Sequence, residues 1–183
     1  MGYAFRDLKM LRTRINVPAV ILAAVVASTV GTPSFAETAA PAPSTPGVIV
    51  KFKADDIASI LRDAGYRAEV VTENNRTRVR TGMSGYNINV YLYGCDEDGA
   101  CTSLQYSLGL TKSPSYTLSV ANKWNQDKRF TKAYLDVNGN LFLEADVYFR
   151  GGTTRDAVAS SVRLFDDLVA DFRGMLSALS TAK

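Results

Sequence analysis

Residues 86–95, YNINVYLYGC, alternate apolar and polar positions, the period of a strand with one face buried, and CTSLQYSLGL (101–110) does the same after an acidic loop. Upstream, AEVVTE and RTRVRTG read as two strands around an Asn74–Asn75 turn. Downstream, KAYLDVNGNLFLEADVYF reads as two more about Asn138–Gly139, a strong short hairpin signal. Between and around these runs the period changes to that of a helix. In KADDIASILRDAGY, Ile57, Ile60, Leu61 and Ala64 share a face, Asp55 stands as the cap and Gly65 as the stop. In PSYTLSVANKWNQDKRF, Tyr116, Val120 and Trp124 recur every four residues. Val158, Val162, Phe165, Leu168, Val169, Phe172, Met175, Leu176 and Leu179 form one unbroken stripe, with Thr153 and Asp156 ahead of it spaced as a capping box.

The order is therefore α-β-β-β-β-α-β-β-α. Hairpins separated from helices imply an α+β fold, an antiparallel sheet with helices packed against it. No strand–helix–strand alternation points to a parallel nucleotide-binding sheet.

The two cysteines lie in GCDEDGAC, residues 94–101. If Cys95 and Cys101 face one another across their loop, Tyr93 pairs with Ser103, Tyr91 with Gln105 and Asn89 with Ser107 on one face. Leu92 then pairs with Leu104, Val90 with Tyr106 and Ile88 with Leu108 on the other. This register separates polar from apolar completely, and a slip of one residue destroys the separation. It also sets the cysteines opposite each other, on the more polar face, at a separation a disulfide bridges. A redox role fits poorly, because Asp96, Glu97 and Asp98 raise a thiol pKa and the two-residue spacing of redox motifs is missing. The pair reads as a staple.

The amino terminus changes the compartment. Arg6, Lys9, Arg12 and Arg14 precede an apolar run from Val17 to Val30, and Ser34-Phe35-Ala36 ends it with small residues. This is the pattern of a secretory signal peptide over residues 1–36, cleaved between Ala36 and Glu37, and the run is short for a bilayer span of about 20 residues. The expected product is periplasmic or secreted, with no stable membrane anchor. Residues 37–50, rich in Pro, Ala, Ser and Thr, read as a disordered leader, and residues 51–181 as one domain. The chain has 21 basic and 18 acidic residues; the first 36 hold four and one of these, so 17 of each remain and the exported chain is neutral. Nothing in that balance draws in nucleic acid. The oxidising setting favours the disulfide.

There is no histidine, which removes Ser-His-Asp and Cys-His pairs and nearly all zinc catalysis. Calcium on Asp96, Glu97 and Asp98 has no specified geometry. Asp136, Glu144 and Asp146 are the carboxylate candidates, weighed against a solvated strand face beside a turn. DVNGN (136–140) is a turn, since its glycine falls early for a calcium loop and the twelfth position is Val147. No P-loop or dinucleotide fingerprint is present, and no cofactor or metal is expected. NKWNQDKRF (122–130) carries the only tryptophan. Trp124 fits the core stripe of its helix, or, with Asn125, Lys128 and Arg129, a partner-binding site.

ILRDAGYRAEV, YGCDEDGACTSLQY, ANKWNQDKRFTKAYLDVNGNLFLEADV and the final GGTTRDAV helix together resemble the YbjN domain family, bacterial sensory transduction regulators, in its exported, cysteine-bearing branch. The resemblance covers about residues 53–179 and implies a fold similar to type III secretion chaperones, with a bent antiparallel sheet, often dimeric. It brings no catalytic residue. Three functions follow in order. The first is a non-enzymatic periplasmic chaperone-like module that holds a protein or peptide partner on its sheet or beside the Trp124 helix. The second is a structural or assembly homodimer of the envelope, or a sensory or regulatory accessory protein. The third is a carboxylate enzyme.

Overall fold

A computed structural model of the chain describes residues 47–181; the expected signal peptide, the Ala36–Glu37 junction and residues 37–46 of the leader lie outside the described residues. The elements are α1 (Ala54–Asp63), β1 (Ala68–Glu73), β2 (Arg76–Met83), β3 (Tyr86–Tyr93), β4 (Ser103–Leu110), α2 (Leu118–Asp127), β5 (Lys132–Leu135), β6 (Leu141–Tyr148) and α3 (Arg155–Thr181). The order is the one the periodicities predict. All strands join one antiparallel sheet in the order β1-β2-β3-β4-β6-β5.

Period two decides the two faces. The β3–β4 ladder pairs Asn89 with Ser107, Val90 with Tyr106, Tyr91 with Gln105, Leu92 with Leu104 and Tyr93 with Ser103, the register that separates polar from apolar. Val79, Met83, Ile88, Val90, Leu104, Tyr106, Leu108, Leu141 and Leu143 are buried on the inner face. The stripe of α3 lies against them, with Val158, Val162, Phe165, Val169 and Phe172 buried. Tyr106 stacks on Phe165 at 5.2 Å between centroids and shares a hydrogen bond of 2.9 Å with Ser161 Oγ, so its hydroxyl has a partner in the apolar layer. α1 buries Ile57, Ala58, Ile60 and Leu61 beside it, and α2 contributes Ala121 and Trp124.

Local chemistry sets the ends of these elements. Asn74 and Asn75 both take left-handed backbone (φ 51° and 59°), which asparagine tolerates and a two-residue hairpin requires. Gly65 ends α1 in a Schellman motif, with Tyr66 N–H donating to Leu61 O and Gly65 N–H to Arg62 O. Two expected caps move by one or two residues. α1 is capped at Lys53, whose N–H donates to the Asp56 carboxylate at 2.9 Å, so the acid that serves is Asp56 and not Asp55. Thr154, not Thr153, accepts the Ala157 N–H at the start of α3, because Thr153 is held in a bridge to Ile49. Ile49, within the 37–50 segment expected to be a disordered leader, exchanges two 2.8 Å backbone bonds with Thr153.

One inner-face group is unmatched. Thr81 is buried in the row Ala68–Thr81–Ile88, and its hydroxyl has no hydrogen-bond partner. A buried hydroxyl without a partner costs on the order of 1–3 kcal/mol. Thr81→Val is therefore expected to raise stability by about 1 kcal/mol, read as a higher urea midpoint at unchanged slope; a lower midpoint would show that the hydroxyl is satisfied in solution.

Candidate functional site

Among the described residues α1 and α3 pack on the inner face and α2 joins them through Trp124 against Phe172, so the outer side chains of β1–β6 form an open face. Its two halves differ in chemistry. On β2 the outer positions are Arg76, Arg78, Arg80 and Gly82. Glu73 pairs with Arg78 at 2.8 Å and with Arg80 at 3.0 Å, and the Arg78 hydrogen bond, foremost among these contacts, holds its carboxyl below the usual range. Arg78 Nε also donates to Asn89 Oδ1 at 3.1 Å. Gly82 leaves a notch. A Cβ there would lie 2.8 Å from Arg67 Nε, so only glycine lets the Arg67 guanidinium cross β2 to reach Asn87 Oδ1 at 2.5 Å. Arg67, Arg78, Arg80, Asn87, Asn89 and Glu69 line a cavity of about 560 Å³ at this end.

The other half is aromatic and acidic. Glu144 is buried on the outer side, where it accepts hydrogen bonds from Ser107 Oγ and from the Tyr134 hydroxyl, both at 3.2 Å, and faces Lys132 Nζ at 3.3 Å. The solvated-face expectation thus fails for Glu144, because the edge residues Tyr134 and Lys132 fold over it. It holds for Asp146, which is exposed and takes Gln105 Nε2 at 2.8 Å, with Lys132 at 3.8 Å. Asp136 is elsewhere, in the β5–β6 turn. There it accepts from Asn138 N, Asn140 N and Asn140 Nδ2, and the Asn140 side chain foremost holds its pKa below the usual range. The three carboxylate candidates are therefore not gathered into one pair or pocket. Phe142 covers the glycine gap at Gly109 and stacks with Tyr134 at 5.3 Å, while Tyr93 and Tyr148 project into solvent nearby.

At one end of the sheet Cys95 and Cys101 are disulfide-bonded. The β3–β4 ladder stops short of them, at Tyr93–Ser103. Cys101 pairs instead with Phe52 through two backbone bonds (2.9 and 3.0 Å) and is itself buried. Phe52 packs edge-on against Phe149 at 5.0 Å, so the staple joins the entry segment to the sheet. Asp96 is turned to Lys51 Nζ (2.8 Å) and to the amides of Asp98 and Ala100, and Lys51 foremost lowers its pKa. Among the described residues no group of three or more Cys, Asp or Glu is arranged to hold a metal.

The four residues of the expected partner site are spent unequally. Trp124 is 1% exposed, packs edge-on against Phe172 at 4.8 Å and donates to Thr131 Oγ1 at 3.0 Å. It is core, the first of the two readings that its helical stripe allows. Asn125 accepts from Ala133 N (2.7 Å) and donates to Ala133 O (2.9 Å), tying α2 to the edge strand β5. Lys128 pairs with Asp171 of α3 at 2.6 Å. Arg129 remains at the surface over the exposed ring of Phe130. The open-face arginines, by contrast, were not among the sequence candidates. The alternate arginines of RTRVRTG and a glycine inside that strand were the signals that pointed to them.

The described residues define an α+β domain, a six-stranded antiparallel sheet with three helices packed against it. Residues 53–177 match the family YbjN, described as "Putative bacterial sensory transduction regulator". The chain belongs to the YbjN family. Among solved structures it is similar to YbjN from E. coli, described there as "a putative transcription regulator", at 17% identity and a TM-score of 0.56, covering 74% of this chain and 96% of that one. An uncharacterized protein from Methanothermobacter thermautotrophicus aligns at 12% identity and a TM-score of 0.49, covering 72% and 99%. No curated protein matches the chain. The first likeness confirms the α+β fold. Among the described residues no helix is long and apolar enough to cross a membrane.

The site and core tyrosines make an alkaline signature. Tyr66, Tyr106 and Tyr134 are each raised from 10.0 to about 12, foremost by burial; for Tyr66 the Asp166 hydrogen bond adds to it, and for Tyr134 the charge of Glu144. The folded state keeps these protons when the unfolded chain has lost them. Their contribution is therefore complete below pH 10 and is lost as pH rises from 10 towards 12. Absorbance titration at 295 nm is expected to show a late group of tyrosines near pH 12 merging with unfolding. Titration of all tyrosines near pH 10 with the fold intact would contradict these contacts.

Proposed function

We propose that this chain is an exported, non-enzymatic YbjN-domain protein that holds an extended segment of a partner protein on the open face of its sheet. The observation that carries this reading is the six-stranded sheet whose helices, among the described residues, pack on one side, which leaves a broad surface of arginine, asparagine, tyrosine and acid side chains. Exposed aromatic and arginine side chains are the residue types that anchor protein interfaces. Export is supported by the basic, apolar and small-residue pattern of residues 1–36, and by the disulfide, which is consistent with an oxidising compartment. A role as a regulator of cytoplasmic transcription would sit poorly with such a leader. The Trp124 helix is withdrawn as the contact surface because its tryptophan and asparagine are committed internally.

A photo-crosslinking residue placed in the living cell tests this reading. Substituted at Tyr91 or Tyr93 on the open face, it is expected to yield one discrete adduct with another protein, and at Arg163 on α3 to yield none. An adduct between two copies of this chain from the open face would mean a homodimer instead. Equal, diffuse labelling from all three positions would remove the open face as a partner site.

A further inference from the structure

We propose that the arginine row along β2 is the recognition element of this face, and that its ligand is an extended acidic segment with carboxylates at alternate residues. The inference rests on the open-face reading and adds the chemistry of the partner.

Arg76, Arg78 and Arg80 occupy successive outer positions of β2, about 6.8 Å apart at the rise of an antiparallel strand. The next outer position is Gly82, and the guanidinium of Arg67 lies across it. Four cations therefore stand in one line of roughly 20 Å at a spacing of two strand residues. An extended peptide presents same-side residues at the same spacing, so Asp or Glu at every second residue meets one guanidinium each.

Charge and preorganisation favour such a ligand. Facing these four cations from β1 are Glu69 and Glu73. Glu73 is shared between Arg78 and Arg80, while Arg67 and Arg76 have no carboxylate within 4 Å among the described residues. The row carries a surplus of two positive charges. Arg67 is fixed by Asn87, and Arg78 by Asn89 and Glu73, so the guanidiniums are already ordered before a ligand arrives. Each guanidinium has five N–H donors in a planar fork that suits a carboxylate, and these bonds use one or two of them. The cavity of about 560 Å³ between Arg67, Arg78 and Arg80 has the size of a small ligand site and admits the central acidic side chains.

A long phosphate polymer fits less well. Continuing across the face it would meet Glu144 and Asp146, and the neutral exported chain supplies no wider positive field to offset them. A short run of carboxylates confined to the β1–β3 half avoids both.

The test uses the protein purified as cells export it, with four fluorescent probes in an anisotropy titration. These are a ten-residue peptide alternating Ser and Glu, the same peptide with Gln for Glu, one with Lys for Glu, and a ten-nucleotide oligothymidylate. The Ser–Glu peptide is expected to bind about tenfold or more tighter than the Gln peptide, the discrimination of one lost charged hydrogen-bonded contact. Affinity for the Ser–Glu peptide should fall with added salt. Arg67→Gln and Arg80→Gln should each weaken it about tenfold at unchanged thermal midpoint, while Arg163→Gln on α3 leaves it unaltered. Equal binding of the Glu and Gln peptides to the open face would overturn the acidic chemistry and leave that face as a peptide site. Binding of none of the peptides would overturn both. Tighter binding of the oligothymidylate than of the Ser–Glu peptide would make the row a phosphate site and overturn this proposal.

Discussion

The β3–β4 pairing is the constraint on which the rest of this domain depends. It sits at the centre of the sheet, and its register assigns every neighbouring strand its inner and outer residues. A shift of one residue would turn Val90, Leu104 and Tyr106 to water and bring Tyr91, Gln105 and Ser107 under α3. The cost would be both the lost apolar burial and several uncompensated polar groups. The register is held from both ends. The Cys95–Cys101 bond closes the loop between the strands, and Phe52 pairs with Cys101 beyond the last ladder pair. At the far end Ser84 of the β2–β3 turn is fastened to α3 through Asp166 Oδ1 at 2.6 Å, while Arg173 donates to Ser84 O at 3.0 Å.

How much of this was legible in the sequence depended on the range of the interaction. Strand alternation, the α3 stripe and the Asn74–Asn75 turn are written within a few residues of one another, and the structure follows them closely. The β3–β4 register was legible because both strands alternate strictly and only one offset satisfies both. The pairing of Phe52 with Cys101 and of Ile49 with Thr153 was not, because isolated bridges between distant segments carry no periodic signal. Trp124 shows a different difficulty. Its spacing suited the core, yet a lone tryptophan beside Lys128 and Arg129 also looks like an interface anchor, and only the position of Phe172 decides between them. Glu144 was misplaced for a related reason. Alternation put it correctly on the outer face, but its burial comes from Tyr134 and Lys132 on the edge strand β5.

Glu144 and Asn125 also explain how a strand of four residues persists at the edge of the sheet. β5 pairs only with β6, and no strand lies along its other edge. From the helix side Asn125 occupies both backbone groups of Ala133, doing for β5 what a further strand would otherwise do. From the outer side Glu144 draws in the side chains of Tyr134 and Lys132. An exposed edge of this kind invites pairing with another chain, and capping its backbone with a fixed side chain is one way to blunt it. The WNQDKRF block therefore serves the architecture: its tryptophan locks α2 to α3, its asparagine closes β5, and Lys128 reaches Asp171.

The same alternation that builds the core leaves the outer positions unconstrained by it. Arg76, Arg78 and Arg80 interleave with Thr77, Val79 and Thr81, so side chains of opposite chemistry hang from one strand whose backbone is fixed from below. Outer residues can consequently differ in charge from one half of the face to the other without disturbing what α1, α2 and α3 pack against. That freedom is visible here. The β1–β3 half carries surplus arginine, the β4–β6 half carries Glu144 and Asp146 with one shared lysine, and the buried inner positions of the strands are apolar apart from Thr81 and the tyrosine hydroxyl of Tyr106. A difference of charge across the surface would confine an acidic chain to the arginine half, where its acids lie over the guanidiniums and away from Glu144 and Asp146. A strand-borne row of this kind, with its backbone held by the register below, would spare such a chain the ordering cost that a loop would impose.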